Sequence, residues 1–292
     1  MTEKAFLRYH QFQKICSKYS KEIIHIANLS WKNIDFSLDE PKIIRQYLDK
    51  GIDILNNNLT HIWKQYGFIV KFSSVYIHQK PKITRLNGDQ CELGDLLIIF
   101  SFMDRNKIII VNRALIIQAK KLKKIIDDCQ QKLYEIDPYF YFPKNLYQFS
   151  VCSQKPERYW PIYWDNRTKA LKYLILDKFR NPFFVFLPWD LSIKASWAII
   201  FLWILIGNTS LRFSRSPYTC QNWSAIIWDL ITVTGRSTIR GKSRGKNINY
   251  LREFVENFND FNDYRNSKII SDNEGTGIPI LLIIVQDQEI II

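Results

Sequence analysis

Residues 92–120 read ELGDLLIIFSFMDRNKIIIVNRALIIQAK. Two runs of branched and aromatic residues, Leu96–Phe102 and Ile108–Ile117, flank the polar tetrapeptide Asp104-Arg105-Asn106-Lys107. That pattern predicts a β-hairpin turning within the tetrapeptide. A turn centred between Asn106 and Lys107 sets Asp95 opposite Gln118. Side chains alternate along a strand, so Gln118 and Lys120 share a face and Ala119 points away. Antiparallel pairing brings Asp95 to the side of Gln118 and Lys120.

A carboxylate, an amide oxygen and an ammonium thus gather at one end of an apolar hairpin. Charge is costly there unless it pairs or binds something. The residue types suit a divalent-metal site for phosphodiester hydrolysis. Mg²⁺ or Mn²⁺ takes oxygen ligands, here from Asp95, the Gln118 side chain and the Ala119 backbone carbonyl. Lys120 is positioned to orient the attacking water and offset transition-state charge. Glu92, three residues before Asp95, is a further candidate acid. The competing reading is a plain Asp95–Lys120 salt bridge.

Outward from the hairpin, Asp39-Glu40-Pro41 resembles a helix start. Ile43, Ile44, Tyr47, Leu48, Ile52, Leu55, Leu59, Ile62 and Trp63 recur at helical spacing, predicting one long amphipathic helix from 41 to 66 that ends near Gly67. Another helix is expected within 5–34 and a strand at 68–77. After Lys120, Leu122, Ile125, Ile126 and Leu133 return to helical spacing. The second half offers strands at 171–176 and 183–187, helices at 196–206 and 223–233, and a final buried strand at 278–285. With no internal repeat or long linker, residues 1–292 read as one domain, with a core at 41–190 and a C-terminal helical elaboration at 191–292 that ends in a strand.

At these residues the chain resembles the PD-(D/E)XK nuclease superfamily. The family pattern is an acid at the start of one hairpin strand and a (D/E)-x-K tripeptide on the next. Gly94-Asp95 matches the first element, and Gln118-Ala119-Lys120 matches the second with Gln in place of the acid. It is also similar to uncharacterised bacterial proteins sharing an E-L-x-D-L-L…Q-A-K pattern. The resemblance covers residues 68–135 and implies an α/β fold, a restriction-endonuclease-like mixed sheet flanked by helices with helical N- and C-terminal additions. It also implies Mg²⁺-dependent DNA cleavage and an acid on the preceding helix, for which Asp53, Asp49 and Glu40 are candidates.

Charge supports a polyanionic partner. The net charge is +13, and because residues 250–292 hold eight acidic and three basic side chains, the other 249 residues carry +18. Nucleic acid, DNA ahead of RNA, fits that surplus. Lys121, Lys123 and Lys124 beside the site, and Arg236, Arg240, Lys242, Arg244 and Lys246 in a glycine-containing stretch, are candidate phosphate contacts. Aromatic clusters at 134–149 and 159–164 suit either base stacking or a core.

Five widely spaced cysteines without a CxxC pair, and histidines confined to residues 10–78, argue against a zinc site. His61 and His78 read as ordinary helix and strand residues. The cysteines suit reduced thiols in a cytoplasmic protein. The apolar run Ala195–Ile206 is shorter than the roughly 20 residues a membrane span needs. No integral span is expected, and a buried helix is the better reading. Two rivals remain open: a non-catalytic nucleic-acid binder on the same fold, and a membrane-surface or protein-interaction module using 195–206.

Overall fold

The computed structural model describes residues 3–77, 81–121, 128–147, 150, 155–177, 181–214, 222–239, 246, 249 and 277–288. In chain order these form α1 (Glu3–Lys18), α2 (Ser20–Leu29), α3 (Glu40–Gln46), a π-helical turn (Tyr47–Gly51), α4 (Ile52–Lys64), β1 (Phe68–Val75), β2 (Lys82–Thr84), β3 (Gln90–Glu92), β4 (Leu96–Met103) and β5 (Ile109–Lys121). Then follow α5 (Asp128–Glu135), β6 (Tyr139–Tyr141), α6 (Lys144–Tyr147), β7 (Glu157–Tyr159), α7 (Trp164–Ala170), β8 (Leu171–Leu176), β9 (Phe183–Val185), β10 (Lys194–Ser196), α8 (Trp197–Ile206), β11 (Leu211–Arg212), α9 (Trp223–Ile239) and β12 (Ile280–Asp287).

The fold is mixed α/β. A large sheet runs β1-β12-β4-β5-β8-β9-β10, with β11 paired to β5, and a small sheet runs β3-β2-β6-β7. Within the large sheet β12 is parallel to β4 and β8 is parallel to β5, whereas β4 and β5 are antiparallel. The final strand is therefore interior, lying between β1 and β4. Its continuous apolar sequence, ILLIIV, is what burial on both faces requires.

The β4–β5 hairpin has the register expected from the sequence, Leu96↔Ile117 through Phe102↔Val111, with a slip at Phe102/Met103. Asp104 makes the turn. Its Oδ1 accepts the backbone N–H groups of Asn106 (2.9 Å) and Ile108 (2.8 Å), and Lys107 takes the left-handed conformation at φ 62°. β4 is buried along its whole length. Leu96, Ile98, Phe100 and Phe102 face a core shared with α1, α2, α4 and α8, while Leu97, Ile99 and Met103 face one shared with α9, α5 and the small sheet.

The expected long helix is broken. α3 and α4 are joined by the π turn, where a Cβ on Gly51 would meet Ser30 O at 2.7 Å and the Tyr47 ring at 2.7 Å. Chain crossing at α2 thus requires glycine, and Trp31 stacks on Tyr47 at 4.0 Å. The apolar run at 195–206 becomes α8, capped by Ser196 Oγ at Ile199 N and by left-handed Gly207. α8 is buried between the sheet and α1 and α2, which removes the surface on which a membrane-surface reading rested. Among the described residues no helix is long and apolar enough to cross a membrane.

The aromatic clusters divide. Tyr134, Phe140, Phe142 and Trp160 are core, whereas Tyr159, Tyr163 and Trp164 are exposed. Among the described residues Cys16, Cys91 and Cys129 form no disulfide.

Lys172 of β8 is an interior charge that meets no carboxylate among the described residues. It is 2% exposed, donates to Thr168 O at 2.5 Å and lies 4.6 Å from the Phe186 ring centroid. Burial pushes its ammonium down to about 7 from 10.5. Between those two values the unfolded chain binds a proton that the folded chain does not. Stability therefore rises with pH across that window and is lowest below it. Lys172→Met is expected to stabilise the fold by about 1–3 kcal/mol at pH 6, with the gain shrinking towards pH 10. Urea melts at both pH values test this, and equal midpoints for the two proteins at pH 6 would show that the amine carries no burial penalty.

Candidate functional site

The site lies where β5 ends and β4 begins. Asp95 precedes β4 by one residue, its N–H on Ile117 O at 2.8 Å. Gly94 lets the chain enter here, because a Cβ would meet Ile116 Cγ2 at 2.6 Å, and Ile117 O and Tyr134 Oη each at 3.2 Å. Tyr134 donates to Leu93 O at 2.7 Å. Burial, followed by the Asp95 charge, pushes its phenol well above the ordinary value, so it stays a donor.

Asp95 and Gln118 are 3% and 1% exposed. Asp95 Oδ2 accepts from the Ala119 N–H at 2.7 Å and from Gln118 Nε2. Gln118 Oε1 is buried without a hydrogen-bond partner. Such an oxygen costs about 1–3 kcal/mol unless an electropositive group meets it. Lys120 is partly buried and in register with Ile175 of β8, two residues along β5 from Gln118 on the same face. Among the described residues it bonds no carboxylate, so Asp95 and Lys120 are not a salt bridge.

The three helix-borne acids are placed differently. Asp53 pairs with Lys246 at 2.8 Å and Asp49 lies 3.9 Å from Arg45, both half-exposed. Glu40, at the start of α3, instead reaches the end of β5, where its Oε1 accepts the Lys121 N–H at 3.3 Å. Asp177 is an acid that sequence reasoning missed. It is buried and follows β8 by one residue at the same sheet end, since Lys121 is in register with Leu176. The signal was present as the apolar strand LKYLIL running directly into an acid. Glu92 stands on β3 opposite Lys82, in the small sheet.

Several proposed phosphate contacts are placed differently from expectation. Lys121 does not begin a helix; it ends β5, on the opposite face from Lys120, with Nζ on Ser37 O at 3.1 Å. Lys246 is held by Asp53 and by backbone and hydroxyl bonds to Ser73 and Ser74. The Arg236 backbone lies in α9. Lys123, Lys124, Arg240, Lys242 and Arg244 lie outside the described residues, as does His78.

Among the described residues no three His, Cys, Asp or Glu side chains cluster. A cation here would rest on one carboxylate, Asp95, with the Gln118 amide and the Ala119 carbonyl. The orphaned Gln118 oxygen fits that role, because a hard cation accepts neutral oxygen ligands. No protein-family model, curated protein or solved structure matches the chain.

Entry of the chain at Gly94 fixes this geometry. Gly94→Ala is expected to lower stability by about 1–3 kcal/mol through overpacking against Ile116 and Tyr134. An unshifted urea midpoint would show that the hairpin mouth yields.

Proposed function

We propose that the protein is a metal-dependent nuclease of restriction-endonuclease-like fold that hydrolyses DNA phosphodiester bonds. The observation that carries this reading is the buried Gln118 Oε1, without a partner among the described residues, beside the Asp95 carboxylate, with Lys120 on the same face and bonded to no carboxylate among those residues. Placement supports it as well. The site sits at the carboxyl ends of parallel neighbours β5 and β8, where α/β sheets commonly open to ligands.

Asp95, Gln118 and the Ala119 carbonyl would hold Mg²⁺ or Mn²⁺. When bound, the metal supplies charge neutralisation at the phosphate and acidifies a bound water. Asp95, fixed by the Ala119 N–H, keeps the ligand oxygens in place. Lys120 orients the water and donates to the phosphate oxygen that gains charge. Water adds to phosphorus as one ester P–O bond breaks, leaving a phosphate end and a hydroxyl end. With a single carboxylate the metal is held weakly until substrate phosphate completes its shell. Mn²⁺ should therefore bind the free protein weakly and bind more tightly with DNA present.

Purified protein incubated with plasmid, linear DNA and RNA, with and without Mg²⁺, provides the test. Cleavage should need the metal and favour DNA. Lys120→Ala and Asp95→Asn should each lower the rate by about 10²–10⁴-fold. Equal inactivity of wild type and both variants on every substrate, with and without metal, would overturn the proposal.

A second reading rests on the two donors that already occupy Asp95 Oδ2. They suit a carboxylate that clamps the hairpin mouth in a non-catalytic nucleic-acid-binding protein. That reading expects salt-sensitive DNA binding that survives Asp95→Ala.

A further inference from the structure

On the other half of β5, and on its other face, two arginines oppose each other. Arg113 is the direct cross-strand partner of Arg212 in β11. Like charges so placed repel, because opposed Cβ atoms stand about 4.5–5.5 Å apart on one face. Among the described residues neither guanidinium meets a carboxylate. Arg113 Nη1 donates to Gly207 O at the end of α8, whose partial negative charge offsets part of one positive charge. Its Nε is buried without a partner among the described residues. Burial first, and the Arg212 charge as well, holds Arg113 below the ordinary guanidinium value.

The Tyr9 hydroxyl completes the cluster. It lies within the fields of both arginines and accepts from Gln13 Nε2 at 3.2 Å. With Gln13 and Arg113 both acting as donors towards it, the hydroxyl keeps its own proton to give. Arg212 itself is exposed, so the cluster opens to solvent.

We propose that Arg113, Arg212 and the Tyr9 hydroxyl form a seat for a terminal phosphate, either free or as a monoester. Paired guanidinium forks match phosphate geometry. A dianion cancels both charges, whereas a carboxylate or a phosphodiester cancels one. Residues 113, 115 and 117 face the helices α1 and α8, while Gln118 faces the opposite layer, so this seat is separate from the candidate metal site.

Thermal melts at low ionic strength, with inorganic phosphate against chloride of equal ionic strength, test the seat. Phosphate should raise the wild-type midpoint by roughly 2–4 °C. Arg212→Ala should lose that increment while melting no lower than wild type in chloride, because its repulsion with Arg113 is gone. Asp95→Asn should keep the increment, which separates this seat from the nuclease proposal. A 5′-phosphorylated oligonucleotide that acts where its unphosphorylated form does not identifies a nucleic-acid end as the source, and action of inorganic phosphate alone identifies the free ion. A wild type without the increment, or an Arg212→Ala variant that keeps it, would overturn the seat.

Discussion

The register of the β4–β5 hairpin is the constraint on which the rest depends. Asp104 closes the turn with two backbone N–H groups on one oxygen, and the pairing from Phe102↔Val111 to Leu96↔Ile117 follows from it. A slip of one residue would turn every side chain of one strand to the other face. Gln118 and Lys120 would then meet the helices, and Ala119 would face the small-sheet layer. Because β4 is buried on both sides, such a slip would also bury polar Ser101 and Asn112 against different neighbours. Apolar packing against two layers therefore enforces the geometry that a polar turn begins.

Interior charge elsewhere is resolved by local pairing. Arg158 and Asp229, both fully buried, meet at 2.7 Å, and burial against that pairing pushes the Asp229 carboxyl up to about 6. Arg85 and Asp137 form a two-pronged pair at 2.6 and 3.1 Å, and Arg8 holds Asp287 at the end of β12. These pairs tie distant segments together, and among the described residues Asp229 Oδ1 alone of their carboxylate oxygens is buried without a partner. On β5, Asn112, Arg113 and Gln118 each carry a buried polar atom with no partner among the described residues, as do Ser101, Gln130, Thr209 and Thr232 elsewhere in the fold. Native interiors rarely leave such atoms unmet, so those on β5 are places where a water or a ligand fits. Both proposed sites lie on β5, one at each half and one on each face.

What could be read from sequence follows from range of interaction. The hairpin, its register and the shared face of Asp95 and Gln118 depend on neighbours within some 25 residues, and alternation with turn chemistry suffices for them. The three-residue strands of the small sheet carry too few positions for any period to show. The place of β12 between β1 and β4 is a tertiary choice that its apolar sequence permits but does not specify. Asp53, Asp49 and Glu40 are equivalent in one dimension, and only packing sends Glu40 to β5 while Lys246 takes Asp53. Lys121 was misplaced for a related reason. The strand persists through it, and alternation then carries it to the face opposite Lys120.

That reassignment changes what the basic surplus can do near the candidate site. With Lys121 on Ser37 O and Lys246 on Asp53, neither ammonium offers an uncommitted charge to a phosphate. Among the described residues Lys120 pairs with no carboxylate, while Asp95, Glu40 and Asp177 place acids at the same end of the sheet. Opposing carboxylates would repel a DNA backbone on their own, and a divalent cation turns that repulsion into attraction by bridging acid and phosphate. Under the proposed nuclease reading, cation and DNA would each create the binding site for the other. Their affinities would then be linked, each tightening in the presence of the other.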